Sequence, residues 1–483
     1  FGPTAGASME DNKKSARGFS VRHNVSVRSR ALGRIPDILS ALGSLRIAER
    51  RTALASAARS FDEDTVARPQ ETGWANMLAR TFFSFSYDGF SPERLAWEAV
   101  IRGLSVIGCC DRDSLGALDE MQTAADALGI RAVVSMETVA RVDSAADREI
   151  NCPGQPGLAR VLGIGFTAPP LPEDEHGRLI ASLPERTREY ARTMLARLNP
   201  LLSPVAVDFE NDLLPMTPSG NAGPGHIAAT FIGKAEETFP DAADRAVFWA
   251  DVLGRSPEDV ECLWSDRGEF MDVVQEKLLR MAPEESSSAA YPAAADLFRA
   301  FEASGAAACI LWRGGASGGV ADAGKFLDDA VNWGARAAAL TPDACWNIAD
   351  PAEKERGLAA LSDFMAAARK RNLPVLAGSF MDGPRQKFVD SLDAPELSPY
   401  VRDFADSAFW LYGHAVLQRA IGAGLTSDWA HRHFGPDRAA ANAFYAEAGR
   451  KAAPGKAARA RIAEAGPDAR PGDVLAALAP PKI

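Results

Sequence analysis

From residue 77 onward, short apolar runs alternate with longer amphipathic stretches. "MLARTFFSFS" (77–86) predicts a strand and "SPERLAWEAVIRG" (91–103) a helix, with Ser91 placed as its cap, Pro92 at the first helical position and Glu93 beside it. "LSVIGCC" predicts the next strand and "GALDEMQTAADALG" the next helix. "IRAVVSMETVARV" is a third strand, and "GLARVLGIGF" contains a fourth. Four β units alternating with helices predict a parallel sheet or barrel. The rhythm breaks over 170–300, where "RLIASLPERTREYARTMLARLN", "HIAATFIGKAEETF", "AADRAVFWADVLG" and "FMDVVQEKLLRM" read as helices. It resumes with "AAACILW" (306–312), "ARAAALTP" (335–342), the helix "GLAALSDFMAAARKRN" and "LPVLAGS" (373–379).

The pattern divides the chain into five segments. Residues 1–75 are a basic N-terminal extension with one helix near 35–59, and 76–168 form the first part of a barrel. Residues 169–300 are a helical insertion, 301–425 the second part of the barrel, and 426–483 an Ala/Gly/Pro/Arg-rich extension. The final stretch, from about residue 452, has low complexity and reads as mobile and removable, as does the leader 1–34. No internal repeat has a fixed period.

Composition narrows the function. With 47% apolar and 24% charged residues this is an ordinary globular chain, and a net charge of −11 argues against a nucleic-acid partner. Residues 1–60 hold eleven Lys/Arg against four Asp/Glu, so the remainder is more acidic than the total implies. This leader reads as a disordered basic arm, with an organelle transit peptide as the alternative. The chain begins at Phe1 with its first methionine at position 9, which reads as a tag or a fragment edge. No apolar run reaches the ~20 residues of a membrane helix, so no membrane partner is expected. Six cysteines without a C-x-x-C pair point to a reducing, cytoplasmic compartment.

The motifs at 77–168 and 300–385 resemble the polymerase-and-histidinol-phosphatase (PHP) superfamily. The frame matches at Asp88-Gly89, Ser91-Pro92-Glu93, Arg102-Gly103-Leu104, Asp111-Arg112-Asp113-Ser114, Glu137 and Gly378-Ser379. The resemblance implies a distorted (β/α)7 TIM-like barrel of PHP type with a helical insertion. In the family, one end of that barrel holds up to three metals and performs phosphoester hydrolysis. The family's His-X-His, however, is Thr81-Phe82-Phe83 here, the middle His of Asp-His-Asp is Arg112, and the closing Asp-X-His is Phe380-Met381-Asp382. Metal sites of this kind need imidazoles and carboxylates converging at about 2.0–2.2 Å, and Arg112 brings a fixed positive charge instead. The expectation is therefore no metal and no other cofactor.

The surviving polar residues carry the candidate chemistry. Arg112 among Asp88, Glu137 and Asp382 forms a charge-balanced cluster in place of metal, and Glu137 is a candidate acid–base group. His226 follows the loop "TPSGNAGPG" at a helix start, a setting suited to an anion, and is the second catalytic candidate. Asp111 and Asp113 are ligand-binding candidates, with helix capping as the alternative. Trp312 and Arg313 stand where a later histidine belongs, at the head of the Gly-rich turn "RGGASGG". His414, in an aromatic stripe, reads as core. Three functions remain open. The first is a small anionic or sugar-like ligand bound at the barrel mouth, with or without metal-independent chemistry. The second is a hydrolase of the phosphoesterase kind with a remodelled carboxylate metal site. The third is a non-catalytic interaction protein.

Overall fold

The computed structural model describes residues 35–282, 290–314 and 321–479. Seven strands form one sheet in chain order: β1 Ala75–Ala79, β2 Val106–Arg112, β3 Arg131–Arg141, β4 Leu158–Phe166, β5 Ala307–Leu311, β6 Ala337–Leu340 and β7 Val375–Ala377. The sheet curls into a nearly closed barrel. Strands β1–β3 and β5–β7 run parallel, while β4 is antiparallel to both neighbours, Glu137 lying opposite Leu162 and Leu162 opposite Cys309. The sequence pattern predicts an all-parallel arrangement, and the reason it fails at β4 is the connection. Only residues 142–157, with a single 3-10 turn, separate β3 from β4, and without a crossover helix the chain must double back. Reversal puts the first residues of β4, including Arg160, at the end of the barrel where the other strands finish.

Alternation along the strands separates two apolar layers. Ile107, Cys109, Val134, Met136, Ile310 and Ala338 pack outward against helix residues such as Leu95, Trp97, Met121 and Phe364. Val106, Cys110, Val133, Leu162, Cys309 and Leu376 face inward and meet Trp410 and Leu411 of the helix Val401–Ile421, which closes the lower end. His414 on that helix is wholly buried, with Nε2 paired to the Gly165 carbonyl (3.0 Å) and Nδ1 accepting from the Leu425 N–H (2.9 Å). Burial holds its imidazole near pKa 4, so it packs as a neutral core group.

β1 and β7 do not share a regular ladder; the side chain of Asn76 joins them instead. Its Nδ2 donates to the carbonyls of Ser379 (3.0 Å) and Phe388 (2.7 Å), and its Oδ1 accepts from the N–H of Leu78 and of Ser379 (3.0 Å each). Gly378 lies against this seam, where a Cβ would stand 2.3 Å from the Asn76 Oδ1 and 2.7 Å from the Met77 nitrogen. No side chain fits there.

Between β4 and β5, the helices Glu175–Leu201, Pro224–Thr238, Ala242–Leu253, Pro257–Trp264 and Arg267–Met281 build a core of their own around Trp249, Phe231 and Phe270. N-terminal to the barrel there are two helices, Ile35–Leu42 and Ile47–Asp62, where the periodicity suggests one. The C-terminal stretch departs further from its reading. Lys456–Ala465 and Pro471–Ala477 are helices that bury Ala458, Ile462, Val474 and Leu478 against the barrel's lower end. None of the described helices is long and apolar enough to cross a membrane. The basic leader and most of the "RGGASGG" turn lie outside the described residues.

Candidate functional site

The first predicted strand ends early, at Ala79, and Thr81–Ser84 turn across the barrel mouth. Asp111, at the end of β2, fastens that turn. Its Oδ1 accepts from the Thr81 N–H (2.8 Å) and the Ser84 hydroxyl (2.7 Å), and its Oδ2 from the Thr81 hydroxyl (2.7 Å). Burial raises the Asp111 carboxyl, and these hydroxyl and amide donors pull it back. Asp111 is thus fully occupied by the Thr81–Ser84 turn. The Thr81 hydroxyl, standing at a position where the PHP frame has a metal ligand, belongs to this hydrogen-bonded node.

A second knot forms around Glu137 on β3. Arg80 pairs with its Oε2, Arg160 reaches Oε1 at 2.7 Å, and Arg112 Nε stands 3.7 Å from Oε2. Burial alone pushes the carboxyl up, but the guanidiniums of Arg80, Arg160 and Arg112 outweigh it and hold Glu137 far below the usual carboxylate range. Arg80 also bonds Asp382 (2.9 Å) and lies over the Phe380 ring (4.6 Å). Sequence reasoning anticipates Arg112 near Glu137 and misses both stronger partners. Arg80 directly precedes the altered Thr81-Phe82-Phe83, which is a usable signal. Arg160 reaches the mouth only because β4 is reversed.

Above these knots lies a cavity of about 1250 Å³ between the barrel mouth and the helices of the intervening segment. Arg112, Asp113, Arg313 and Asp382 line it, as do Arg80 and Arg160. Asp88, Asp111 and Trp312 do not. Asp88 is exposed in the turn before Ser91, and Trp312 is buried and stacked on Phe364 at 4.3 Å. His226 sits beneath the wall: its ring is buried against Phe85 (5.0 Å), and its Nδ1 accepts from the Gly223 N–H (3.2 Å). Burial lowers its imidazole to about 4. Asp113 takes hydroxyl donors from Thr138 (2.5 Å) and Thr187 (3.0 Å), at a positive φ of 51° that aspartate tolerates. Its carboxyl is raised, first by burial, with Thr138, Arg186 and Arg112 opposing.

These side chains do not fit a metal. The positions that supply imidazoles in the PHP frame hold Thr81, Phe83, Arg112 and Asp382, its closing aspartate is Phe380, and the Arg80 guanidinium lies between the carboxylates of Glu137 and Asp382. Among the described residues no three His, Cys, Asp or Glu side chains gather as a metal site.

No protein-family model matches the sequence, and neither does any curated protein. Solved structures similar in chain path include a "putative metal-dependent phosphoesterase" from Bifidobacterium adolescentis, 17% identical, with 67% of this chain and 93% of that one covered and a TM-score of 0.42. Another is an amidohydrolase from Chromobacterium violaceum with bound sulfate and no metal, 15% identical over 69% of this chain and 96% of that one, also with a TM-score of 0.42. Their chemistry is their own. What this cavity can do follows from the side chains within it.

Proposed function

We propose that the cavity binds a small organic anion, and that the chain is a divergent PHP-type barrel in which a fixed arginine cluster takes the place of the metals. The observation that carries this reading is the imbalance of charge at the cavity floor. Glu137 is already taken by Arg80 and Arg160, which leaves Arg112 with a 3.7 Å contact and Arg313 with no ion pair or hydrogen bond among the described residues. Desolvation, and then the neighbouring Arg80 and Arg160, lower the guanidiniums of Arg112 and Arg313 respectively. Cations held against one another in a partly desolvated cleft favour a carboxylate or phosphate, which a guanidinium grips through two parallel N–H donors.

In this reading Glu137 organises the arginines, and its lone pairs are not free to take a proton from a ligand. His226 holds Gly223, at the start of the helix Pro224–Thr238, from behind. If the bound anion is turned over, the chemistry is metal-independent, and Asp113 is the ionisable group on the cavity wall best suited to move a proton.

The test is thermal unfolding of the whole protein in phosphate, malonate or citrate at constant ionic strength. A ligand that binds only the folded chain stabilises it by about 2.7 kcal/mol at a hundredfold excess over Kd. The melting temperature should rise with at least one anion and should lose that rise in Arg313→Gln. Arg112→Gln should also weaken the response while costing the apo fold little, because Glu137 keeps two closer arginines. An equal rise in wild type and Arg313→Gln would move the anion elsewhere and defeat the reading.

A further inference from the structure

We infer that Arg186, on the helix Glu175–Leu201 that covers the mouth, is a ligand-binding residue that closes with Arg112 and Arg313 around a group bearing two negative charges. This inference rests on the cavity being an anion site. It adds a residue from the helical cover, and it fixes the charge of the group bound.

Arg186 lines the cavity, with its guanidinium over the Tyr291 ring at 4.5 Å. Its Nη1 is buried without a hydrogen-bond partner, and it forms no ion pair among the described residues. Leaving a charged donor buried and unmet is costly, and an acceptor entering from the cavity relieves that cost. The helix is already aimed for this. The next residue, Thr187, donates to Asp113 Oδ2 at 3.0 Å and so ties the cover to the end of β2. An anion held by Arg186 on one side and by Arg112 and Arg313 on the other would bridge cover and barrel directly.

The charge of that group follows from the local balance. Among the described residues, four guanidiniums at the floor (Arg80, Arg112, Arg160 and Arg313) and Arg186 on the cover face three carboxylates, Asp113 and Asp382 on the lining and Glu137 beneath it. Farther along the wall Arg280 pairs with Glu276, and among the described residues Arg197 and Glu189 are equal in number. Among the described residues the surplus is two positive charges. A phosphate monoester or a vicinal dicarboxylate meets it; a sulfate ester or a single carboxylate leaves half of it unmet.

Isothermal titration of the full chain at pH 7.5 with two matched pairs tests this: phenyl phosphate against phenyl sulfate, and phthalate against benzoate. In at least one pair the dianion should bind tenfold or more tightly, and the pair that shows the preference identifies the kind of anion. If phosphate is preferred, its affinity should fall as pH drops through the second phosphate ionisation near about 6. Arg186→Gln should cut the preference to threefold or less, and Arg186→Lys should retain part of it, with circular dichroism confirming that both variants are folded. If no probe binds, the anion-site reading falls and this inference with it. Equal binding within both pairs leaves the anion site standing and overturns the charge assignment. A full preference in folded Arg186→Gln overturns the role of Arg186.

Discussion

At the scale of single residues, the polar side chains of the barrel mouth are held in two separate knots. Thr81 and Ser84 satisfy Asp111, while Arg80 and Arg160 satisfy Glu137. The absence of imidazoles from these positions is legible in the sequence, because residue types alone decide it: a Phe has no lone pair to give and an Arg no vacant one. The replacement partners were not legible, since Arg160 comes from a strand whose direction the pattern misreads. A third buried carboxylate has a consequence of its own. Asp390 lies in the segment after β7, nearly inaccessible, with Oδ2 lacking any partner. Burial, and then the nearby Asp343, raise its pKa to about 8, with a backbone N–H and Lys387 opposing. Between about pH 4 and about 8 the folded chain therefore keeps a proton on this group that the unfolded chain has lost. Its contribution to stability is most favourable below that window and falls as pH rises, by up to about 1.4 kcal/mol per unit. Asp390→Asn, which cannot ionise, should raise the melting temperature at pH 8 by clearly more than at pH 5. An identical change at both values would show that Asp390 does not titrate in this window.

At the scale of elements, the sequence was most informative where periodicity was strong. The helix Pro92–Ile101 starts where its signals place it, with the Ser91 hydroxyl accepting the Arg94 N–H at 3.0 Å. It misleads where composition hides periodicity. In the C-terminal helices most residues are Ala, Gly, Arg or Pro, so the few that pack do not stand out. Ala458 and Ile462 are nonetheless four apart on one face and wholly buried. Arg459 adds a two-pronged pair with Asp126 (2.9 and 2.6 Å), and the Trp429 indole donates to the Ala469 carbonyl at 2.8 Å. Burying an Ile, Leu or Val side chain is worth about 1.5–3 kcal/mol, so Ile462, Val474 and Leu478 together make this stretch part of the fold. Ending the chain at Ala453 should lower the calorimetric melting temperature by several degrees or abolish the cooperative transition. A truncated protein that melts like the full chain would mean that the packing carries no stability.

At the scale of the whole molecule, the barrel must close for the arginine knot to exist, because Arg80 leaves β1 and Asp382 follows β7. The seam between them depends on few groups: the Arg80 N–H to the Phe380 carbonyl (3.2 Å) and the four hydrogen bonds of Asn76. An asparagine can serve two strands because it carries donors and acceptors on one short side chain. Asn76→Ala would strand two carbonyls and two N–H groups in a space that excludes water, and each buried unmet group costs about 1–3 kcal/mol. A urea melt should therefore show a loss of at least about 3 kcal/mol. Gly378→Ala should be destabilising through the same seam, since its Cβ meets backbone that cannot swing aside. Because both substitutions break one joint, the double variant should lose less than the two single losses combined. Losses that simply add would mean the seam is not a single unit, and a loss below about 1 kcal/mol in Asn76→Ala would mean that other contacts close the barrel.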